Sequence, residues 1–337
     1  MNRLKLIIIF IAIILFGLVN TESVIWASQG IDIKYITSYS AKSMGGVIPL
    51  KIYFDRQQNE LYIGSQSKEI AVINEDGMIV HRIPLADSPK LLCVNKNGNI
   101  YISDNKGGIS ILNYRGEYIK NLDLSAVPDN TLLAIQSFHV DENEHLYIGD
   151  GRLSRIIVLD SSGNFLYQFG KKGSGEGEFL NAKAITTDAE RLYLIDPPLF
   201  RVSVYDKKDG RFLYMFGQIS SLFGGFSMPS SIDTDGKRLF VVDTNRAMVI
   251  VFDREGKPII EFGGVGRNPD SLSWPSDIKV DGNGKIYVCD TGNGRIQIYE
   301  LIDVQQIDEV KPPETVESGK AAEPIEVEPV IEKIIVK

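Results

Sequence analysis

Short apolar runs separated by tight turns recur along most of this chain. In the clearest unit, near the C-terminal end, the runs Ile278 to Val280, Ile286 to Cys289 and Ile296 to Tyr299 alternate with Asp-Gly-Asn-Gly and Asp-Thr-Gly-Asn-Gly. Asp, Asn and Gly tolerate the positive φ of hairpin turns, and the runs have the length and composition of β-strands. The unit is therefore predicted to be an antiparallel meander.

The same unit is repeated upstream. A triplet with a central aromatic residue marks the second strand of each copy: Leu61-Tyr62-Ile63, Ile100-Tyr101-Ile102, Leu146-Tyr147-Ile148, Leu192-Tyr193-Leu194, Leu239-Phe240-Val241 and Ile286-Tyr287-Val288. The spacing is about 46 to 47 residues in the last four units, and a fourth apolar run such as Phe165 to Gly170 follows the third. Four strands at this period are typical of a propeller blade, so the pattern predicts an all-β, six-bladed β-propeller of four-stranded blades.

The last unit has only three predicted strands before the repeat pattern ends. The run at residues 33–39 resembles the fourth strands of the other units and precedes the first inner strand. We therefore expect this N-terminal strand to complete the last blade and to close the ring, with the propeller spanning residues 31–302. Closure protects the strand edges, and no single blade is expected to be stable alone.

The pattern Pro-x-x-Ile-x-x-Asp, then Ile/Leu-Tyr-Val-x-Asp, then Asn-x-Arg-Ile-x-Val-Tyr resembles the NHL repeat, and the segment from Pro275 to Tyr299 matches it almost position by position. The repeat's arginine position is occupied by Arg155, Arg201 and Arg295 in three units, by Met248 in the fifth, and by Ile70 and Ile109 in the two degenerate first units. The resemblance implies a six-bladed propeller. It says little about activity, because this fold serves binding, scaffolding and several chemistries.

Both ends of the chain differ from the repeats. Residues 1–27 contain Arg3, Lys5 and an apolar run from Leu6 to Val19, which is typical of an export signal or an uncleaved membrane anchor. Either interpretation places the propeller outside the cytoplasm, as a periplasmic or secreted chain or one anchored to the membrane. Residues 303–337 are acidic and rich in Pro and Glu, and they are predicted to be a disordered tail.

Charge and cysteine content argue against a nucleic-acid partner and against a disulfide. The formal net charge is -8, and Lys and Arg form no long cluster, so nucleic acid is not an expected partner. An exported chain permits a disulfide, yet Cys93 and Cys289 fall on strands of non-adjacent units. We expect both to be free, buried thiols.

Loop lengths point to one face of the ring. The loops from second to third strands and from fourth to first strands share a face, which we call the loop-rich face; the opposite tight-turn face carries short Asp/Asn-Gly turns. The longest loops lie on the loop-rich face, which predicts the binding surface there and at its channel mouth. The residues that begin the inner strands are the candidate ligand-binding set: Lys51, Lys90, Ser137, Lys183, Ser231 and Asp277.

Metal-dependent enzymes on similar six-bladed rings, such as the peptidyl-hydroxyglycine lyase and the lactonase-like hydrolases, provide the alternative function. A zinc lyase needs several converging histidines, whereas His81, His139 and His145 are predicted to lie apart. A calcium site needs several oxygen ligands at the axis, for which Asp233 and Asp277 of adjacent blades are the only candidates. We predict no cofactor and no metal, and we keep the Asp233/Asp277 site as the alternative.

Two other motifs receive structural interpretations. The series Asp104, Asp150, Asp196, Asp243 and Asp290 ends the second strands, where the carboxylates are expected to accept hydrogen bonds from loop amides. The run Gly173 to Gly177 lacks the lysine and the helix of a phosphate-binding loop and is predicted to be a flexible loop between blades. The sequence thus predicts a monomeric, non-catalytic propeller that binds a protein or peptide partner or serves as a scaffold.

Overall fold

The predicted fold class is confirmed. A computed structural model describes residues 30–103 and 107–303, and it shows six four-stranded antiparallel sheets arranged as a propeller. The predicted export segment and the tail from residue 304 onward lie outside the described residues, as does Asp104. Among the residues described, no helix is long and apolar enough to cross a membrane.

The first three blades follow one another along the chain, and each runs from the inner to the outer strand. Blade 1 contains β2 (Pro49–Asp55), β3 (Glu60–Ser65), β4 (Glu69–Ile73) and β5 (Ile79–Pro84); blade 2 contains β6 (Leu92–Val94), β7 (Ile100–Ser103), β8 (Ile109–Leu112) and β9 (Tyr118–Asn121); blade 3 contains β10 (Ile135–Val140), β11 (Leu146–Asp150), β12 (Arg155–Leu159) and β13 (Phe165–Phe169).

The other three blades complete the ring. Blade 4 contains β16 (Ala184–Thr187), β17 (Arg191–Asp196), β18 (Arg201–Asp206) and β19 (Phe212–Phe216); blade 5 contains β20 (Pro229–Thr234), β21 (Arg238–Asp243), β22 (Met248–Asp253) and β23 (Pro258–Gly263); blade 6 contains β24 (Asp277–Val280), β25 (Lys285–Asp290), β26 (Arg295–Asp303) and the N-terminal strand β1 (Ile31–Ser40). A short parallel pair, β14 (Lys171–Lys172) and β15 (Glu178–Phe179), and the 3-10 helices Asn130–Leu132, Pro197–Leu199 and Thr291–Asn293 lie in connecting loops.

The hydrophobic pattern of each strand follows its place in the blade. The middle strands are covered by neighbouring blades on both faces, so β12 is buried at every position and reads as an uninterrupted apolar run. The outer strand β13 alternates between half-buried and exposed positions, because one of its faces meets solvent. Burial on both sides therefore explains why the second and third strands gave the strongest repeat signal.

The ring closes through β1, as predicted. β1 pairs antiparallel with β26 from Ile31 opposite Asp303 to Ser40 opposite Arg295, with an irregularity between Tyr35 and Thr37. The Tyr35 ring meets the Tyr299 ring edge-on at a centroid distance of 5.8 Å. Since β26 runs toward the tight-turn face, residues 31 and 303 lie together on that face.

Packing between blades supplies the core. Within the described residues, the buried apolar side chains fall into six clusters, each shared by two neighbouring blades. One of these clusters joins blade 6 to blade 1 and includes Met44, Val47, Ile52 and Ile298. Cys93 and Cys289 are both free and buried, as predicted, so the closed ring depends on this packing rather than on a disulfide.

Substitution of Tyr35 tests the role of the closing strand. We expect Tyr35→Ala to lower the free energy of unfolding by about 2–3 kcal/mol, because the ring packs on Tyr299 and on the cluster between blades 5 and 6. Urea unfolding followed by circular dichroism measures this change. Lys34→Ala, at an exposed position of the same strand, serves as the control and is expected to change stability by less than about 0.5 kcal/mol. Equal effects of the two variants would contradict a stabilising role for the closing strand.

Candidate functional site

The channel opens on the loop-rich face into a cavity of about 750 Å³. Blades 1 to 4 supply its walls, and four of the lining residues are lysines: Lys51, Lys68, Lys90 and Lys183. Asp87 is the one acidic residue of the described lining, and Leu50, Leu91 and Ile135 supply apolar surface. The cavity is therefore basic, although the whole chain is acidic.

Three of the six predicted ligand-binding residues line this cavity, and three do not. Lys51, Lys90 and Lys183 lie at the mouth. Ser137 is buried and its Oγ donates a hydrogen bond to the Ala182 carbonyl at 2.6 Å, which connects blade 3 to blade 4. Ser231 and Asp277 are also buried, and the Ser231 Oγ donates to Asp277 Oδ1 at 2.5 Å. These last three side chains connect neighbouring blades instead of facing the cavity.

The cations at the mouth are weakly paired. The Lys51 Nζ lies 3.8 Å from Asp277 Oδ2, and the Lys68 Nζ lies 3.9 Å from Asp87 Oδ1. Much of Lys183 is exposed to the cavity, but burial of its ammonium and the positive charge of Lys51 lower its pKa, partly offset by Asp277. An anion at this mouth would relieve the repulsion between Lys51 and Lys183.

A ring of polar side chains lies deeper in the channel. It contains Tyr53, His139, Thr186, Asp233 and Lys279, which lie two or three positions after the residues predicted to begin the inner strands and line a second cavity of about 260 Å³ on the tight-turn side. Arg56 closes over this end by donating to the carbonyls of Thr234 at 3.0 Å and Val280 at 3.2 Å. The sequence pattern did not predict this ring, although four of its five members follow the predicted strand starts at the strand period of two.

Asp233 and Asp277, the alternative metal ligands, already have several partners. Asp277 Oδ2 accepts the Ile52 amide at 3.0 Å, in addition to the Ser231 hydroxyl on Oδ1. Asp233 accepts the Thr186 hydroxyl at 3.1 Å and the Val280 amide at 2.9 Å, with the Lys279 Nζ at 3.8 Å. Each carboxylate thus bridges neighbouring blades. In the described part of the chain, no group of three or more His, Cys, Asp or Glu side chains is placed to hold a metal ion.

The three histidines lie apart, as predicted. His139 faces the channel, where its Nε2 lies 3.1 Å from Thr187 Oγ1, and burial followed by the charge of Lys279 lowers its pKa to about 4. His145 lies in an inner turn near Asp141, at 3.8 Å between Nδ1 and Oδ2. His81 is exposed on the outer strand of blade 1. Their positions give no convergent imidazole set.

The aspartates that end the second strands organise the loop-rich face, as predicted for the four that the structure describes. Asp196 accepts the amides of Leu180 and Asn181 at 3.0 and 3.1 Å, and Asp243 accepts those of Ser227 and Met228. Asp150 and Asp290 each accept a loop amide and also pair with the repeat arginines Arg155 and Arg295. All four are fully buried, which suits a structural carboxylate.

Three long loops of this face share one construction. Each loop begins after the fourth strand of a blade and folds back on itself, so that two of its residues pair in parallel. The paired residues have the same separation in sequence in all three loops: Lys172 with Phe179, Ile219 with Phe226, and Val265 with Leu272. The returning apolar residue is fully buried in all three. The length of these loops was apparent from the sequence, whereas their internal repeat was not predicted.

Arginines of the following blade hold these loops in place. Residues 173–177 form a loop between blades, as predicted, and Arg201 donates to the carbonyls of Ser174 and Glu178 at 2.8 and 2.7 Å, which connects the backbone of this loop to blade 4. Arg295 likewise donates to Asn268 and Ser271. In blade 5, where Met248 takes the repeat's arginine position, Arg246 performs this task through the Gly225 carbonyl and Glu261.

The same loops leave large apolar side chains in solvent. The exposed residues on the two loops that follow blades 4 and 5 are Ile219, Leu222, Phe223, Val265 and Trp274. Exposed apolar groups on a fixed loop face are typical of an interaction surface.

Comparisons with known proteins agree with this architecture. Residues 272–299 match the NHL repeat family model, and residues 119–216 match a family model described as a 6-bladed beta-propeller. No curated protein matches the sequence. Among solved structures, the chain is similar to selenomethionine-substituted virginiamycin B lyase from Staphylococcus aureus, with 15% identity and a TM-score of 0.55 over 81% of this chain and 100% of that chain. Identity at this level shows a shared fold and leaves the chemistry open.

Asp277→Ala tests whether this carboxylate connects blades. We expect the free energy of unfolding to fall by about 2–4 kcal/mol, because the Ile52 amide and the Ser231 hydroxyl lose a buried acceptor. Asp87→Ala, at an exposed position of the cavity mouth, is the control and should lower the free energy of unfolding by less than about 0.5 kcal/mol. Unfolding is measured with and without calcium; a calcium-dependent stabilisation of the wild type that Asp277→Ala abolishes would favour the metal site instead.

His139 is expected to make stability depend on pH. Its pKa in the folded chain is about 4, below the ordinary value of 6.5, so the unfolded chain binds the proton first. The stability from neutral His139 is complete above pH 6.5 and is lost as the pH falls toward 4. We expect the wild type to lose about 1–3 kcal/mol more than His139→Gln between pH 7 and pH 4 in urea titrations. A wild-type slope in His139→Gln would refute the assignment.

Proposed function

We propose that this chain, a six-bladed β-propeller with an NHL repeat at residues 272–299, is a non-catalytic module that binds a protein or peptide on its loop-rich face. The observation that carries the proposal is the open cavity of about 750 Å³ where the channel reaches this face. Binding sites in such rings favour the mouth of the channel, where several loops converge on a concave surface.

The construction of the face supports this role. Arg201, Arg246 and Arg295 hold the long loops through backbone carbonyls, so the partner meets a surface that is already ordered. Preorganisation lowers the entropic cost of association. The exposed apolar side chains on these loops, led by Val265 and Leu222 at 82% and 74% exposure, add contact area of the kind found at protein interfaces.

The proposed location is outside the cytoplasm. It rests on the basic start and the apolar run of residues 1–27, which is the pattern of an export signal or an anchor. The partner is accordingly expected in the periplasm, outside the cell or at the membrane surface.

A metal-dependent lyase or hydrolase is the rival function. The chain shares its fold with a lyase, which is why this function is considered, but the two sequences are only 15% identical. The carboxylates of Asp233 and Asp277, on which that function depends, accept hydrogen bonds from neighbouring blades. This arrangement favours the binding module.

Site-specific photo-crosslinking in cells tests the proposal. A photoreactive phenylalanine derivative is placed at the exposed Asp87 position of the mouth, and the control carries it at the exposed Lys237 position on the tight-turn face. We expect discrete adducts to proteins of the cell envelope from position 87 and few or none from position 237. Adducts from position 237 alone, equal labelling from both positions, or no adduct from either would contradict binding at the loop-rich face.

A further inference from the structure

The mouth of the channel concentrates positive charge in an acidic protein. Lys51 and Lys68 come from blade 1, whereas Lys90 and Lys183 precede the inner strands of blades 2 and 4. The sequence as a whole has a net charge of -8. Four ammonium groups around one cavity therefore depart from the character of the remaining surface.

Acidic partners within the described residues do not neutralise this charge. The two ion pairs at the mouth have separations of 3.8 and 3.9 Å, longer than the 2.7 Å of the Arg246–Glu261 and Arg295–Asp290 pairs elsewhere in the ring. Lys90 and Lys183 form no ion pair with any described residue, and one of the two acceptors, Asp277, is shared with Ile52 and Ser231. The mouth thus retains lysine ammonium groups without a close acidic partner among the described residues.

The remaining lining indicates what kind of anion fits. Leu50, Leu91 and Ile135 give the cavity aliphatic walls, and its described lining contains no aromatic side chain on which a nucleic-acid base would stack. The negative charge of the chain also disfavours a long polyanion. Carboxylates that alternate with aliphatic groups match both the charge and the walls.

We propose that the mouth formed by Lys51, Lys68, Lys90 and Lys183 binds an acidic peptide segment, whose carboxylates pair with the lysines while its aliphatic side chains contact Leu91 and Ile135. The inference rests on the proposed binding function and specifies the chemistry of the partner. The volume of about 750 Å³ lies in the range of known ligand pockets and admits a few peptide side chains.

Calorimetric titration of the detergent-solubilised full chain with a capped octapeptide of alternating Glu and Leu tests the inference. The matched peptide has Gln in place of every Glu. We expect the Glu peptide to bind at least about tenfold more tightly, since each lost carboxylate removes a charge-assisted hydrogen bond. Raising the salt concentration should weaken only the Glu peptide, because exposed charges are screened.

Paired lysine variants locate the binding site. The double variant Lys90→Gln/Lys183→Gln should weaken binding of the Glu peptide at least about tenfold. Lys237→Gln/Lys257→Gln removes the same charge from exposed positions of the tight-turn face and should leave affinity unchanged. Circular dichroism confirms that both variants are folded, and Lys90→Arg/Lys183→Arg should restore binding.

Several outcomes would overturn the inference. The first two are equal affinity for the Glu and Gln peptides and unchanged affinity of Lys90→Gln/Lys183→Gln for the Glu peptide. The third is binding of succinate as tight as binding of the Glu peptide. The fourth is binding of a uridine oligonucleotide that Lys90→Gln/Lys183→Gln weakens as much as it weakens binding of the Glu peptide. Absence of peptide binding together with crosslinks from position 87 would refute the acidic peptide and leave the proposed function standing. Absence of both would refute the two proposals together.

Discussion

The antiparallel pairing of β1 with β26 is the contact on which the rest of the structure depends. It supplies the fourth strand of blade 6 from the opposite end of the chain, and it covers an edge that would otherwise be open. Only a closed ring gives every blade two neighbours, and the buried apolar clusters all lie between neighbours. The central channel and both of its mouths exist because the chain ends are paired in this way.

The charged residues of the ring have different partners at different depths. Deep in the molecule, Asp233 and Asp277 connect one inner strand to the next, and the Asp290 series fixes the loop backbones. Arginines act one layer further out, where they hold the long loops against the following blade. The lysines of the mouth have neither task. Charges with close intramolecular partners build the scaffold, whereas the lysines of the mouth are weakly paired or form no ion pair with a described residue.

The sequence was sufficient for the architecture because the information is repeated. Six copies of one strand pattern, together with the run at residues 33–39, determined the blade count and the closure. The candidate site was only half predictable. Lys51, Lys90 and Lys183 were correctly placed by their position at the inner strands, but the same rule selected Ser137 and Ser231, whose hydroxyls turn toward neighbouring blades.

The missed features depend on contacts between blades, which a single unit does not encode. Nothing in the local sequence indicates that Ser231 finds Asp277 in the next unit, or that Arg246 compensates for Met248. Similarly, Lys68 and Asp87 reach the mouth from loops rather than from inner strands. Position within a repeat predicts depth in the ring, whereas partners across the interface require the folded structure.

The adjacency of residues 31 and 303 has an architectural consequence. Both extensions of the ring leave from the tight-turn face, on the side opposite the basic mouth. A reporter domain or a coupling handle joined directly to the ring at residue 31 or 303 is therefore attached on the tight-turn face, so an immobilised layer of such rings would present the basic mouth to the solution.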